Sequence, residues 1–512
     1  MQDAAAIKST GKWRAVQFAA VTLCVLLYAP RFSVPTTDLL APARRRDEEK
    51  KDGGALDLEN QVGSPAAAAF LGPRVGVGPV VYLDNQVGSP CSSMPAHAIC
   101  CDRSDDNADV CFMSGDVRTD AASLSLLLFP PTPAASGATT TGQEEERIRP
   151  YTRKWDNKTM ATIHEVRLRA ARPEDEAAAH RCDVRHGAPA HVVTGAGGYN
   201  GGNYFHAFND GLLPAWLTAQ HLRRRVVLAV LAYDEGWAGR YAEVIAGLSE
   251  HPVVDLLGDN RTHCFPGAIV GTRFHGFLAV DAARLRDNKT VVDFHDFLAA
   301  AYGPSPSSRG IRKQAETGQK QRWRPRLGIV SRVGTRVIEN EAAVARLAES
   351  VGFDVDILPA NKATAPPLAA TRAAVSALDA LLGVHGSDLT SFLFLRPGRG
   401  AALVQVAPFG IAELSRDAFG APAERMGLRY EQYNVRASES SLSRVYAADD
   451  AVVADPQRAR LKQGSGKDWD WEFIGRVYVN GQNVSLDLAR FGETLARVHS
   501  WLLEPQQEIG SA

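Results

Sequence analysis

The sequence predicts an α/β protein with two domains, each built on a parallel sheet. Short apolar segments alternate with helix-like segments in two separate parts of the chain. Most of the apolar segments are hydrophobic throughout, as expected for strands of a parallel sheet that is covered on both faces. At 512 residues the chain is also too long for a single hydrophobic core.

The first domain is expected within residues 79–302. A strand at His191–Thr194 should end at a glycine-rich loop, followed by a helix over 212–222. The strand Val226–Leu231 then precedes a helix at Tyr241–Leu248. Two further strands are predicted at Val253–Leu256 and Ala268–Val270.

The second domain, predicted over residues 325–505, shows the same alternation more clearly and should be doubly wound. Ligands of such sheets bind beyond the carboxyl ends of the strands, where Arg332, His385 and Pro408 fall. The predicted segments are strand 327–331, helix Glu339–Val351, strand Phe353–Leu358, helix 368–380, strand Leu381–Val384, helix Leu389–Leu395 and strand Ala402–Val406.

Three segments outside the domains have distinctive compositions. Residues 303–324 are rich in Ser, Gly, Gln and basic side chains, which indicates the interdomain linker. Residues 15–30 are apolar and follow a basic segment, 1–14, so we expect a transmembrane signal anchor with a cytosolic tail. A cleaved signal peptide and a buried helix are the alternatives. Residues 31–78 are predicted to be a disordered stem.

Two observations favour a luminal location for the rest of the chain. Four glycosylation sequons begin at Asn157, Asn260, Asn288 and Asn483. Apart from Cys24 in the apolar segment, the cysteines form an even number, which suits disulfides whose pairing stays open. A zinc site is the alternative, although no CxxC pair is present. These cysteines are Cys91, Cys100, Cys101, Cys111, Cys182 and Cys264.

The charge balance argues against one broad class of function. The chain has 57 basic and 58 acidic residues. A general nucleic-acid binder usually carries a basic excess, so no nucleic-acid partner is expected.

Arg332 and Arg336 lie on the loop after strand 327–331, separated by Gly334. Guanidinium groups suit phosphate oxygens, and the following helix N-terminus favours anions. His385 is placed to donate to a phosphate or a sugar hydroxyl.

Next to this histidine, Gly386 allows the backbone to approach a ligand closely. Thr390 should touch the same ligand or cap the helix. The alternatives are solvated loop arginines and a capping histidine.

His206 and Asp210 are four residues apart and share a face if a helix has begun there. The carboxylate is able to deprotonate an acceptor hydroxyl while the histidine orients it, or the roles are reversed. We assign Tyr199, Asn203 and Asn209 to the same acceptor loop. The alternative is helix capping by Asn209 and Asp210.

Two Asp-x-Asp sequences resemble metal sites in spelling. Asp354 and Asp356 lie inside a predicted strand, and Asp468 and Asp470 lie in a late polar stretch. We expect one solvated strand face at the first of them, and no metal ion or other cofactor is predicted.

Five motifs follow one another along the chain: Gly197–Asp210, Arg261–Pro266, Ser331–Arg336, Gly383–Gly386 and Val477–Val484. Together and in this order they resemble glycosyltransferase family 61, in the branch of plant xylan arabinosyl- and xylosyltransferases.

The resemblance implies a single-pass type II Golgi membrane enzyme with two facing Rossmann-like domains of the GT-B type. It implies inverting transfer from UDP-arabinofuranose or UDP-xylose to xylan. Arg332, Arg336 and His385 would contact the donor diphosphate, and His206 with Asp210 would face the acceptor.

The sequence departs from the family pattern at three places. An extra glycine lengthens the loop at Gly201–Gly202, Ala207 stands where an acidic residue is usual, and Ser387–Asp388 replaces two small residues. Asp388 would repel a diphosphate unless it points away. A non-catalytic carbohydrate-binding or scaffold subunit of a Golgi polysaccharide synthase complex is therefore the rival hypothesis.

Overall fold

A computed structural model describes residues 83–130, 145–177, 181–303, 323–360, 367–398, 400–462 and 469–504. These ranges belong to one compact unit. The predicted tail, anchor and stem at 1–78 lie outside them, as does most of the linker 303–324. Within the described ranges, no helix has the length and apolar character needed to cross a membrane.

The N-terminal half is built on a ten-stranded mixed sheet. Its strands are β1 (Ala98–Asp102), β2 (Val110–Asp120), β3 (Ser125–Phe129), β4 (Glu146–Ile148), β5 (Val166–Ala170), β6 (Val184–Arg185), β7 (Ala190–Thr194), β8 (Val227–Leu231), β9 (Val254–Asp255) and β10 (His263–Gly271). The main order is β4-β5-β3-β2-β10-β7-β8-β9, with β1 beside β2 and β6 beside β10.

The predicted parallel unit corresponds to β10, β7, β8 and β9, which pair in parallel. The strands β1 to β5 were not predicted, and they join this unit through the antiparallel pairing of β2 with β10. The expectation of a purely parallel sheet in this half is therefore wrong.

The two faces of this sheet are covered in different ways. Leu228 and Val230 of β8 pack in a cluster with helical residues, whereas Val227 and Leu231 pack with residues in or next to strands. Val166 and Leu256, at distant positions in the strand order, line the same small cavity. The sheet therefore curls, and its inner face is covered by its own strands.

The C-terminal half contains a five-stranded parallel sheet in the order β12-β11-β13-β14-β15, as predicted for a doubly wound unit. Alternate strand residues pack in two hydrophobic clusters, as two covered faces require. The strand β15 was not predicted. The strands are β11 (Arg326–Ser331), β12 (Asp354–Pro359), β13 (Ala380–Val384), β14 (Ala402–Ala407) and β15 (Arg429–Asn434).

Predicted helices are found with shifted ends. The helix expected from Glu339 begins at Glu341, the helix expected to reach residue 380 ends at Ser376, and the helix at Leu389–Leu395 is a 3-10 helix, Ser387–Phe394. The other α-helices are Asn157–Met160, Pro173–Ala177, Tyr204–His206, Leu213–Ala219, Glu235–Arg240, Ala242–Leu248, Val291–Tyr302, Ala412–Ser415, Ala421–Arg425, Ala451–Ala454, Pro456–Ala459, Trp471–Ile474 and Leu488–Leu503.

One hydrophobic cluster contains residues from both halves of the molecule. Trp216 and Phe208 belong to it from the N-terminal half, and Phe394 and Leu403 from the C-terminal half. The Phe394 ring packs edge-on against Phe208 and Tyr302, with centroids 6.4 and 6.1 Å away. The two sheets are therefore joined by a shared apolar core.

All six cysteines of the described ranges form disulfides, which rejects the zinc alternative because no thiolate remains for a metal. The neighbouring Cys100 and Cys101 have different partners because successive side chains of a strand point to opposite faces. The pairs are Cys91–Cys100, Cys101–Cys111 and Cys182–Cys264.

Phe394→Ala should lower the free energy of unfolding by about 3–5 kcal/mol, because the ring fills the core that both halves share. Denaturant unfolding followed by tryptophan fluorescence should show one transition in each protein. The whole transition of the variant should lie at a lower denaturant concentration than that of the wild type. Val445→Ala is the control, because Val445 is 71% exposed and its truncation should cost less than about 0.5 kcal/mol. A shift confined to one of two separate transitions would contradict the shared core.

Candidate active site

His206 and Asp210 lie on one helix that begins directly after the glycine-rich loop. Asn203 caps this helix: its side-chain oxygen accepts hydrogen bonds from the backbone N–H groups of Phe205 and His206, at 3.0 and 3.3 Å. His206 and Asp210 therefore share one face of this helix, as expected. The alternative of capping by Asn209 and Asp210 is wrong, and Asn203 has a structural role.

The winding of this helix changes between the two side chains. Residues Ala207–Leu212 form a π-helical turn between the α-helical segments Tyr204–His206 and Leu213–Ala219. Such turns are rare and occur frequently at functional sites.

Asp210 is the centre of a buried polar cluster. Arg153 donates to it through Nε at 2.9 Å and Nη2 at 3.2 Å, and Tyr151 Oη donates at 3.2 Å. Asn209 Nδ2 and His206 Nδ1 lie 2.5 and 2.7 Å from its oxygens. We call these five residues the histidine–aspartate cluster. Since the Asp210 side chain is only 1% exposed, a substrate hydroxyl has no direct access to it.

The electrostatics of this cluster favour the histidine as the base. Burial by itself raises the pKa of Asp210, but the hydrogen bond from His206 and the charge of Arg153 outweigh burial and hold the pKa below its usual value. Asp210 is therefore a weak base. His206 Nδ1 lies 2.7 Å from Asp210 Oδ2 and 3.1 Å from Arg153 Nη2. The shorter contact, to the carboxylate, favours the tautomer with the proton on Nδ1, in which the Nε2 lone pair is left to accept a proton.

Tyr151 and Arg153 were missed by the sequence analysis, because they lie about fifty residues before the loop that they support. The Tyr151 hydroxyl accepts a hydrogen bond from Tyr199 N–H at 3.0 Å and lies 3.3 Å from Asn200 Oδ1. Gly198 has φ of +62°, and a Cβ there would lie 2.7 Å from the Tyr151 ring. The glycine-rich loop therefore fits closely over this tyrosine.

The C-terminal half brings together Arg332, Arg336, His385, Gly386 and Asp388, which we call the arginine pocket. A Cβ at Gly386 would lie 2.8 Å from Arg336 Nη1 and 3.0 Å from Arg332 Nη1, so a larger residue there would displace the ends of both arginine side chains. Arg336 Nη1 donates to the His385 carbonyl at 3.3 Å. Asp388 does not point away, because its carboxylate accepts a hydrogen bond from Arg332.

The arginine pocket carries an excess of positive charge. Burial and the neighbouring Arg332 lower the pKa of Arg336 to about 10, so it stays charged at neutral pH. Burial, with the charges of both arginines, lowers the pKa of His385 to about 3. Gln405 Nε2 donates to His385 Nδ1 at 3.0 Å, which places the proton of the neutral ring on Nε2. The pocket therefore offers two cations and a neutral donor to an anion, against one carboxylate, Asp388.

The loop carrying the two arginines is held by a late segment of the chain. Arg336 N–H donates to the Gln482 carbonyl at 2.9 Å. Val337 N–H donates to the Asn483 side-chain oxygen, and the Val337 carbonyl accepts a hydrogen bond from Val484 N–H at 2.9 Å. Gly334 has φ of +96° and supplies the turn between the arginines, and a Cβ there would meet no atom of the described residues within 4 Å. Its contribution to the pocket is therefore conformational.

The four sequon asparagines differ in their surroundings. Asn157, Asn260 and Asn288 are exposed, whereas Asn483 is half-buried. The Asn483 side-chain oxygen accepts a hydrogen bond from Val337 N–H at 3.1 Å, so a glycan there would disturb the arginine loop.

Thr390 is completely buried within the 3-10 helix Ser387–Phe394, whose N-cap is Gly386, so Thr390 does not cap the helix. Its Oγ1 is buried and has no hydrogen-bond partner among the described residues. The role of Thr390 in donor binding stays a prediction.

The Asp-x-Asp sequences have protein partners. Asp354 pairs with Arg324 at 2.9 Å and Asp356 with Arg326 at 2.7 Å. Asp470 caps the helix Trp471–Ile474, and Asp468 lies outside the described residues. Among the residues that the structure describes, no group of three or more His, Cys, Asp or Glu side chains is arranged to hold a metal.

The departures from the expected motif pattern have local explanations. Ala207 is buried in the shared core and brings no charge to the site. A Cβ at Gly201 would lie 2.5 Å from the Ala196 carbonyl oxygen, whereas Gly202 faces open space. The loop is thus tightly fitted at the first of its two glycines.

Three ring contacts connect the histidine–aspartate cluster to the arginine pocket. The His206 ring lies 5.3 Å from Phe205, Phe205 lies 5.3 Å from Phe419, and Phe419 lies 5.4 Å from His385, measured between centroids. The start of the helix at Tyr204–His206 also packs on the 3-10 helix of the pocket. The two groups of polar residues therefore meet at the junction of the halves.

Two Rossmann-like halves with an anion pocket near a histidine–carboxylate pair are suited to a group-transfer enzyme. The profile of the family described as Glycosyltransferase 61 matches residues 204–402. A xylan glycosyltransferase of Arabidopsis thaliana is 35% identical over 410 residues, which are 79% of this chain and 80% of the relative.

Two rice proteins give a similar result. A beta-1,2-xylosyltransferase of Oryza sativa subsp. japonica is 35% identical, with 79% of this chain and 84% of the relative covered. An alpha-1,3-arabinosyltransferase of the same organism is 33% identical, with 76% and 63% covered. The chain therefore belongs to glycosyltransferase family 61, and it is a glycosyltransferase.

Asp210→Asn should lower the free energy of unfolding by about 3 kcal/mol at pH 7, because Arg153 would lose the counter-charge of its buried ion pair. The folded pKa of Asp210 lies below its unfolded value of about 4. The contribution of the carboxylate is therefore present above about pH 4 and is lost as the pH falls through the folded pKa. The difference between variant and wild type should therefore be largest above about pH 4 and should shrink as the pH is lowered further in denaturant titrations.

Asp354→Asn is the matched control, since its ion pair with Arg324 is largely exposed and should contribute less than about 1 kcal/mol. A deficit for Asp210→Asn that is equally large at pH 7 and at low pH would contradict the electrostatic account.

Proposed function

We propose that the protein transfers a pentose, xylose or arabinofuranose, from a UDP-sugar to a xylan-type cell-wall polysaccharide with inversion at the anomeric carbon. The activities named for the relatives support the pentose and the acceptor. The observation that carries the proposal is the junction at which Phe205 and Phe419 connect the base candidate to the arginine pocket.

On the donor side, Arg332 and Arg336 neutralise the pyrophosphate of the UDP-sugar. The Nε2–H group of His385 donates a further hydrogen bond to a phosphate or sugar oxygen. Because Asp388 pairs with Arg332, the donor shares that guanidinium with the carboxylate or displaces it. Since the guanidinium groups balance the negative charge of the pyrophosphate, the proposed reaction does not require a metal ion.

On the acceptor side, His206 Nε2 takes the proton of a sugar hydroxyl, and the freed oxygen attacks the anomeric carbon of the donor. The bond between that carbon and the UDP oxygen breaks on the opposite side, and its electron pair leaves with UDP. Asp210 holds Nδ1–H and stabilises the imidazolium that forms. The arginine pocket stabilises the leaving diphosphate.

We place the reaction in the Golgi lumen, with residues 15–30 as a single-pass type II anchor. Disulfides are characteristic of oxidising compartments, and three pairs are present. The exposed sequons at Asn157, Asn260 and Asn288 support the same location.

His206→Gln should reduce pentose transfer to a xylo-oligosaccharide by about 100-fold or more while leaving the affinity for UDP unchanged. The assay is a panel of UDP-sugars with xylo-oligosaccharides, analysed by mass spectrometry. His164→Gln is the control, because His164 is exposed and outside the cluster. Full activity in His206→Gln would reject the role of His206 as the general base. Absence of transfer by the wild type with every donor would favour the carbohydrate-binding or scaffold subunit.

Arg336→Ala and Arg332→Ala should each weaken UDP binding by about tenfold or more in calorimetry, because a half-buried guanidinium is lost from the diphosphate. Wild-type affinity should be the same with and without EDTA. Arg346→Ala, on the exposed face of the helix Glu341–Val351, serves as the control. Unchanged UDP affinity in both pocket variants would reject the donor site.

A further inference from the structure

Two large aromatic rings are exposed beside the histidine–aspartate cluster. Trp155 is 54% exposed and Tyr199 is 42% exposed. Both adjoin Arg153: its guanidinium carbon lies 5.6 Å from the Trp155 ring centroid and 5.2 Å from the Tyr199 ring centroid. Arg153 Nη2 is also 3.1 Å from His206 Nδ1, so the two rings border the base candidate.

The Tyr199 ring is held in a fixed orientation. It stacks on the His206 ring with centroids 4.8 Å apart and an angle of 28° between the planes. Its hydroxyl donates to Asp156 Oδ2 at 3.1 Å, and its backbone N–H donates to the Tyr151 hydroxyl at 3.0 Å. A ring that is held by three contacts and still exposed forms a preorganised surface for a ligand.

The charge of this surface does not favour an anion. Arg153 lies against both rings, but its charge is balanced by the buried Asp210. The Asp156 carboxylate lies at the rim, where it accepts a hydrogen bond from the Tyr199 hydroxyl. The rings therefore present apolar faces with hydrogen-bonding groups at the rim. A sugar ring has the matching chemistry, with C–H groups on its faces and hydroxyl groups around its edge.

We propose that Trp155 and Tyr199 form a stacking subsite for a sugar unit of the acceptor polysaccharide, next to the hydroxyl that His206 deprotonates. The identity of the acceptor rests on the proposed function. The subsite holds the chain so that one unit lies over the aromatic rings while its neighbour is presented to His206. The uracil ring of the donor is the competing occupant of this aromatic surface. It is disfavoured because the arginine pocket proposed for the donor diphosphate lies in the other half of the molecule.

The test compares steady-state kinetics of the purified full-length chain and its variants with xylohexaose as acceptor. Trp155→Ala should raise KM for xylohexaose about tenfold with kcat and UDP affinity little changed. Trp155→Phe should recover most of the loss, because it keeps a ring. Trp471→Ala is the matched control: Trp471 is also 54% exposed and lies in the C-terminal half, so its removal should not change KM.

Two kinetic outcomes would overturn the subsite while leaving the proposed function in place. The first is a KM for xylohexaose in Trp155→Ala that equals the KM of the wild type or of Trp471→Ala. The second is a loss of UDP affinity in Trp155→Ala with an unchanged acceptor KM, which would assign the ring to the nucleotide.

A binding measurement separates the subsite from the reaction. If the wild type transfers no pentose, xylohexaose binding is titrated by NMR to the wild type and to Trp155→Ala. Weaker binding by the variant would support the subsite although the proposed reaction had failed. Equal binding by both, or none by the wild type, would overturn it.

Discussion

The packing of the helix start at Tyr204–His206 on the 3-10 helix Ser387–Phe394 sets the geometry of the whole site. The first of these elements carries the base candidate, and the second begins at the arginine pocket. Their contact is part of an apolar cluster that includes Phe208 and Phe394, so water is excluded and the two halves are fixed in register. The same hydrophobic core that stabilises the fold therefore determines the distance between the arginine pocket and the histidine–aspartate cluster.

The two polar groups at this junction solve opposite electrostatic problems. In the histidine–aspartate cluster, a buried carboxylate is neutralised by Arg153, which leaves the histidine ring oriented and accessible. In the arginine pocket, burial and the charges of two half-buried arginines keep His385 neutral, and these charges are only partly balanced by Asp388. In the proposed reaction, the first site receives a proton and the second receives negative charge. The unusual Asp388 moderates the second site and does not abolish its positive excess.

Sequence alone predicted those parts that local pattern controls. The apolar strands β13 and β14, of five and six residues, were predicted closely. Arg332 and His385 were located because strand ends of a doubly wound sheet meet on one edge. Tyr151 and Arg153 were not found, because a buried ion pair between distant segments leaves no periodic signal. The strands β1 to β5 were also missed, and β2 shows why, since it mixes cysteine, glycine and charged residues. The complete burial of Thr390 was not foreseen, because the burial of a 3-10 helix is set by tertiary packing.

The support of the arginine loop by Gln482 and Val484 has a practical consequence for choosing the borders of recombinant fragments. The segment 204–402 that carries the family profile contains both arginines, the histidines and Asp210. It lacks Tyr151 and Arg153 on one side and the backbone partners of the loop on the other. A recombinant fragment cut to the borders of that profile would thus keep the reactive side chains while losing what orients them, and chimeras between relatives need to exchange these flanking segments together with the centre.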